Sequence, residues 1–373
     1  MRFVFSLIFT LLILLFSNLN LLAEDNISDN YIEEVGQVIN IINDNQDKSL
    51  DVFGEGHTIQ TVKVKVLSGE LEGKEFTTEN ILSGNPAYDI PVKKGDKVVL
   101  DIEEDTNGVL IANISNLYRT HALTILVCVF ALLILIFGGL KGLKAIICLV
   151  LTYLMIFYFL IPGLLKGYNP LFLTVIICFL ATCVTIFIIS GINMKSLSAV
   201  IGTIGGVVAA AIVSLFTIKV ATLSGIPNHE AVGLWTEFPD LDFKGILASA
   251  MIIGALGAAM DVAISVASCI MEVKQVSPEI SIKDLIKSGM NVGKDIMGTM
   301  TNTLLLAYTG SAMFLLLLVN NNVSLIKLLN LDSIVSEITA ALAGSIGLVL
   351  CIPITAVIGS YLINKTKITK VES

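Results

Sequence analysis

One stretch of this chain places an ionisable group where chemistry needs one. From Gly254 to Glu272 every residue is apolar or small except Asp261, Ser265, Ser268 and Glu272. Ser265, Ser268 and Glu272 follow Asp261 at four, seven and eleven residues, so helical geometry puts all four on one side. Asp261 stands near the middle of a 27-residue apolar span, 245–271. A carboxylate at that depth costs about 2.5–3.5 kcal/mol on insertion scales, so it must face other protein or water. Three roles stay open for it: a proton or cation site, a structural acceptor held by a neighbouring helix, or a hydrated group near the membrane edge.

A second stretch, Lys287 to Thr303, spaces Asn291, Asp295, Thr299 and Asn302 at four, four and three residues. Gly289, Gly293 and Gly298 interrupt it. Such glycines either let helix backbones approach closely or mark a broken helix whose freed backbone groups hold an ion. Asp261, Ser265, Asp295, Thr299 and Asn302 are therefore the candidate ion or solute pocket. Gly254, Gly257, Gly289, Gly293 and Gly298 are the candidate helix-packing positions. Gly202, Gly205 and Gly206 in another span read as a close helix contact.

The elements that must hold these residues are membrane helices. The chain is 55% hydrophobic and only 14% charged, with mean hydropathy +0.86. Soluble domains carry about 25% charge. Seven apolar segments follow residue 120: 121–139, 143–162, 170–190, 197–222, 245–271, 299–319 and 336–363. Each is close to the roughly 20 residues that cross a bilayer. With residue 120 outside, ten lysines fall in the inner joins and tail and four in the outer joins, which agrees with the positive-inside rule. The expected fold is thus a polytopic α-helical membrane protein of about seven spans, residues 119–363, ending in a cytoplasmic tail, 364–373.

Ahead of the spans, residues 1–23 read as an export signal or an uncleaved anchor: Arg2, an apolar run from Phe3 to Phe16, then Ala23. Residues 24–118 read as a small extracytoplasmic β-barrel-like domain of about five strands, OB-like in type. Strands are expected at Gly36–Ile42, Thr58–Leu67, Lys97–Ile102 and Val109–Ile114. Turns are expected at Ser68-Gly69-Glu70, Gly84-Asn85-Pro86, Lys94-Gly95-Asp96 and Thr106-Asn107-Gly108.

Several classes of function lack support. The net charge of −8, with acid concentrated in the first 120 residues, argues against nucleic acid. All six cysteines lie in or beside apolar blocks, which suits small buried hydrophobes better than a disulfide framework. His229, Glu230, Glu237, Asp240 and Asp242 are too irregularly spaced for a metal centre. No nucleophile elbow, zinc-protease or phosphate-loop motif occurs, and Asp261 has no equally deep carboxylate partner, so neither enzyme activity nor a cofactor or metal is expected.

Two long motifs are specific. Ile253 to Ser265 (IGALGAAMDVAIS) and Ser288 to Tyr308 (SGMNVGKDIMGTMTNTLLLAY) resemble the YibE/F family of bacterial membrane proteins. Val66 to Glu70 (VLSGE) with Gly73-Lys74, and Gly138 to Ala145 (GGLKGLKA), are similar to that family too. The resemblance covers most of residues 35–363 and implies a multi-pass protein of the bacterial cell membrane with an exported β-rich head. It implies no activity and no site residues. From the residues, the leading expectation is a secondary transporter or an ion- or proton-coupled permease built on Asp261, its partners the bilayer and a small solute or ion. The alternative is an envelope assembly or interaction protein whose polar faces are structural and whose exported domain binds a protein.

Overall fold

The computed structural model describes residues 31–47, 57–85, 87–105, 108–317 and 324–365. The expected export segment, 1–23, lies outside the described residues, as does the tail from residue 366. The chain divides into two compact units, residues 1–129 and 130–373.

The first unit is built on five antiparallel strands: β1 (Tyr31–Asp47), β2 (His57–Val66), β3 (Glu75–Leu82), β4 (Lys97–Glu104) and β5 (Leu110–Leu117). Their order is β3-β2-β1-β4-β5, and the edge strands β3 and β5 approach each other, so the sheet nearly closes into the small barrel expected. Strand β1 can serve both halves of the wall because it is long and bent. Its register against β2 shifts between Val38 and Asn40 and again between Ile41 and Asn43. Such bulges kink a strand and increase its twist, which is what closure needs.

Alternation decides the core. Val62, Val64 and Val66 of β2 point inward with Val38, Val98, Leu100 and Ile102, and all are 1% exposed or less. Gln60 continues that inward row as a polar residue. Its Oε1 accepts from Asn80 Nδ2 and from the Val92 amide, each at 3.2 Å, which satisfies a group that burial would otherwise penalise. On the outer face Lys63 meets Glu75 at 2.6 Å, and its ammonium holds the Glu75 carboxyl below the usual carboxylate range.

The second unit is helical. In chain order the helices are α1 (Thr120–Met155), α2 (Ile161–Leu165) after a π turn (Ile156–Leu160), α3 (Pro170–Ser190), α4 (Met194–Val220) and α5 (His229–Glu237). Then come α6 (Phe243–Val276), α7 (Ile282–Ser311), α8 (Met313–Leu317), α9 (Leu325–Leu328) and α10 (Asp332–Asn364). Helix starts carry the caps expected of them. Asn169, Asn193, Asp242 and Ser281 accept from Phe172, Ser196, Gly245 and Asp284 amides at the starts of α3, α4, α6 and α7.

Five stretches among the described residues are long and apolar enough to span a membrane, not seven: Thr120–Leu165, α3, α4, α6 and α10. The difference has two causes. The expected spans 121–139 and 143–162 fall in one stretch with a break at Gly139, and the expected span 299–319 is divided between α7, which ends at Ser311 and is too polar to qualify, and the five-residue α8, with residues 318 and 319 outside the described residues. Yet Thr120–Leu165 is not one straight rod. Gly139 sits at φ 51°, ψ −129°, outside the helical region. A Cβ on Gly142 would collide with the Ile134 carbonyl, eight residues back. In a continuous helix those residues are about 12 Å apart along the axis. The chain folds back at Gly139, a backbone conformation that only glycine adopts readily.

Helices α4, α6 and α10 form the centre of the bundle. Small residues make their crossings tight. A Cβ added to Gly206 would lie 2.7 Å from the Gly347 carbonyl oxygen and 2.9 Å from Cys351 Cβ; one added to Gly347 would lie 2.7 Å from the Gly206 carbonyl oxygen. Ala259, Ala263 and Ala267 of α6 pack against Ala199 and Val200 of α4 and Cys351 of α10. Helix α7 lies against α6 and α10 through Leu285, Met290, Met297, Met300 and Leu304. At the far end of α6, buried Lys274 donates to the Pro278 carbonyl at 2.5 Å and to Asn364 Oδ1 at 2.8 Å, tying the loop after α6 to the end of α10.

Candidate functional site

The sequence places a polar stripe on α6, and the structure shows which way it faces. Ala255, Ala259, Val262, Val266 and Ile270 are buried, while Gly254, Gly257, Asp261 and Glu272 are exposed and Ser265 and Ser268 half-buried. The stripe therefore turns away from the bundle centre. Ser265 Oγ donates to the Asp261 backbone carbonyl at 2.8 Å and Ser268 Oγ to that of Ile264 at 2.7 Å. Both hydroxyls are satisfied within their own helix. Among the described residues the Asp261 carboxylate has no hydrogen-bond or ion-pair partner.

Helix α7 repeats the pattern. Leu285, Gly289 and Gly293 are buried, whereas Asn291, Asp295, Gly298, Thr299 and Asn302 are exposed. Nine residues separate Gly293 from Asn302, which is half a turn at 100° per residue, so the polar positions lie opposite the packed ones. Thr299 Oγ1 donates to the Ile296 carbonyl of its own helix at 2.9 Å.

The five candidate pocket residues are thus not gathered into one enclosed site. Asp261 and Ser265 share the open face of α6; Asp295, Thr299 and Asn302 share the open face of α7; no hydrogen bond or ion pair joins the two groups among the described residues. The glycines also divide. Gly289 faces Ile270 and Ala356, and Gly293 faces Ile352, so both let α7 approach its neighbours. A Cβ on Gly254 would strike the Tyr308 hydroxyl. Gly257 and Gly298 meet nothing within 4 Å, which corrects the expectation that they pack helices in this chain.

What the spacing of residues does not reveal is a partly open cavity of about 350 Å³ between the second half of α1, α3 and α6. Cys148, Leu149, Thr152, Ile177, Leu256 and Met260 are among the residues that line it, and Gly257 forms part of the α6 wall. It is apolar, and it begins one residue and one turn before Asp261. The only sequence signal for it is the bare Gly257 beside that carboxylate.

The match to known proteins now bears on these features. Residues 126–365 match the model of the YibE/F-like protein family, and residues 29–117 match its N-terminal domain. The chain belongs to the YibE/F family. The two matched regions coincide with the helical bundle and the barrel, so the likeness is not confined to the motifs around Asp261 and Asn302 but covers both regions of this YibE/F protein. No curated protein matches the chain, and no solved structure does.

Circumference completes the geometry. On α1, α3 and α4 the exposed side chains are mostly lipid-like, including Phe137, Phe172, Ile212 and Phe216, with Lys141, Lys144 and Lys219 as exceptions. On α6 and the first two-thirds of α7 they are mostly Gly, Asp, Glu, Gln, Asn, Thr and Lys, with Ala250 and Val276 as exceptions. Hydrocarbon suits the first side and not the second.

Proposed function

We propose that this YibE/F protein is a secondary transporter or an ion- or proton-coupled permease of the bacterial cytoplasmic membrane, with Asp261 as its ion-binding carboxylate. One observation supports this most: a carboxylate without a partner, halfway along an apolar helix, beside a cavity. A resting structural acceptor would be held by donors, and Asp261 is held by none among the described residues. In this reading the fold-back at Gly139 supplies two crossings and α7 a sixth, which gives seven with α3, α4, α6 and α10. The lysine distribution then sets the barrel outside and the C-terminus in the cytoplasm. Ser265, Asp295, Thr299 and Asn302 line a hydrated path rather than one closed pocket. No catalysis is proposed.

The test is flux. Purified protein in proteoliposomes is expected to carry proton- or sodium-coupled current that Asp261→Asn abolishes while the variant keeps its helicity and elution volume. Current unchanged by Asp261→Asn removes the reading. The outward aim of both polar faces favours a second reading, an envelope assembly or interaction protein in which another membrane protein covers α6 and α7. There Asp261→Asn lowers assembly with that partner and leaves no flux to lose.

A further inference from the structure

We infer that the cavity between the second half of α1, α3 and α6 binds a lipophilic cation, with the apolar body in the cavity and the positive head on Asp261. This rests on the transport reading of Asp261 and names the class of substrate. Size comes first: about 350 Å³ falls at the small end of ligand pockets, which run from roughly 300 to 1,000 Å³. The wall carries no charged residue, and its hydroxyls are those of Thr152 and Thr185. Such a wall takes an apolar body and gives a polar one nothing in return. Met260 adds an unbranched thioether that adapts to irregular shapes. The π turn reaches the cavity at Ile156, and π turns are frequent at functional sites.

Direction comes next. A helical side chain leans over the turn N-terminal to its own Cα. Asp261 is one turn C-terminal to Gly257, the one wall position that has no side chain, and by that rule its side chain tends toward it, although Asp261 is not itself among the lining residues. A Cβ at Gly257 would meet nothing within 4 Å, so the space at that wall position is open. Charge then selects the occupant. An unpartnered carboxylate beside an apolar space attracts a cation, repels an anion, and stays uncompensated beside a neutral guest.

The probe is radiolabelled tetraphenylphosphonium, added to the full chain in nanodiscs of zwitterionic lipid. Neutral triphenylphosphine oxide and anionic tetraphenylborate serve as comparisons. Saturable binding of the cation alone is expected. Asp261→Asn should weaken it about 30-fold or more, the scale of losing one partner of a desolvated charge pair. Ala145→Phe, which fills the cavity from α1, should weaken it too; circular dichroism confirms that both variants fold. Equal uptake of cation and neutral probe, indifferent to both variants, overturns the inference and leaves the cavity a place for lipid chains. Asp261-dependent proton or sodium current without phosphonium binding also overturns it, while the transport reading stands. Phosphonium binding without any coupled current keeps the site and removes the transport reading.

Discussion

Replacing Gly206 by alanine tests whether the crossing of α4 and α10 sets the stability of the bundle. The new methyl would sit 2.7 Å from the Gly347 carbonyl oxygen and 2.9 Å from Cys351 Cβ, where ordinary contact begins near 3.4 Å. The first obstacle is backbone, which cannot rotate aside, so the helices must separate by about 0.5–1 Å. A gap of that width forfeits roughly a quarter to a half of each dispersion contact along the seam, and overpacking of this kind costs about 1–3 kcal/mol. Alanine recovers about 1 kcal/mol of helix propensity. Gly206→Ala is therefore expected to destabilise by up to about 2 kcal/mol. Gly298→Ala, where a Cβ meets nothing within 4 Å, should stabilise by about 0.5–1 kcal/mol from propensity alone. Equilibrium unfolding in mixed micelles with rising dodecyl sulfate, followed by ellipticity, reads both. Gly347→Ala strikes the Gly206 carbonyl oxygen across the same seam, so the double variant should cost less than the sum of the singles, by about 0.5 kcal/mol or more. If Gly206→Ala proves as stable as Gly298→Ala, or the two seam substitutions add without coupling, close approach is not what holds these helices.

Gly139→Ala, at φ 51°, ψ −129°, should cost about 1–3 kcal/mol and should straighten α1; spin labels at positions 134 and 143, beside the Ile134–Gly142 contact, would move apart toward the ~13 Å that nine residues span in a continuous helix. Lys274→Met leaves the Pro278 carbonyl and the Asn364 amide without their buried donor and should lower stability by about 1–3 kcal/mol in the same unfolding assay. Asn364→Leu should cost more, because it leaves part of a buried ammonium unsolvated rather than two neutral acceptors.

Much of the fold is legible in the sequence because two periodicities carry it. Thr58 to Val66 alternates so cleanly that its inward row, Gln60, Val62, Val64 and Val66, is the buried row of β2. Strand β3 is less legible: its inward positions are Phe76, Thr78 and Asn80, and two polar residues out of three erase the alternation. Asn80 is inside only because Gln60 and the Ile90 carbonyl receive its amide, a satisfaction no local pattern announces. Apolar length identifies the helices but not their joints. Residues 140–142 read as the gap between two spans, whereas the chain turns at Gly139, the last residue of the first expected span, with helix on either side. Ser281 and Asp284 begin α7 some 17 residues before position 299, so the polar stretch that holds Asn291 and Asp295 and the first part of the expected span 299–319 share one helix.

The candidate site was half legible for a related reason. Spacing at three and four residues says which side chains share a face, and Asp261, Ser265 and Glu272 do; it cannot say what that face meets. Hydrophobicity suggests inward, since a carboxylate should flee lipid. The structure turns it outward because α4 and α10 need the opposite face of α6, where Ala259, Ala263 and Ala267 let three backbones converge. Tight packing at the centre and a polar stripe on the same helix leave the stripe one place to go. Insertion costs of about 2.5–3.5 kcal/mol for Asp261, with further costs for Asp295 and Lys294 on α7, make hydrocarbon contact along this side untenable. Water, a solute or another protein must cover it. The lipophilic cation proposed above would satisfy both the carboxylate and the cavity beside Gly257, as would a partner protein that presents a cationic side chain on an apolar surface.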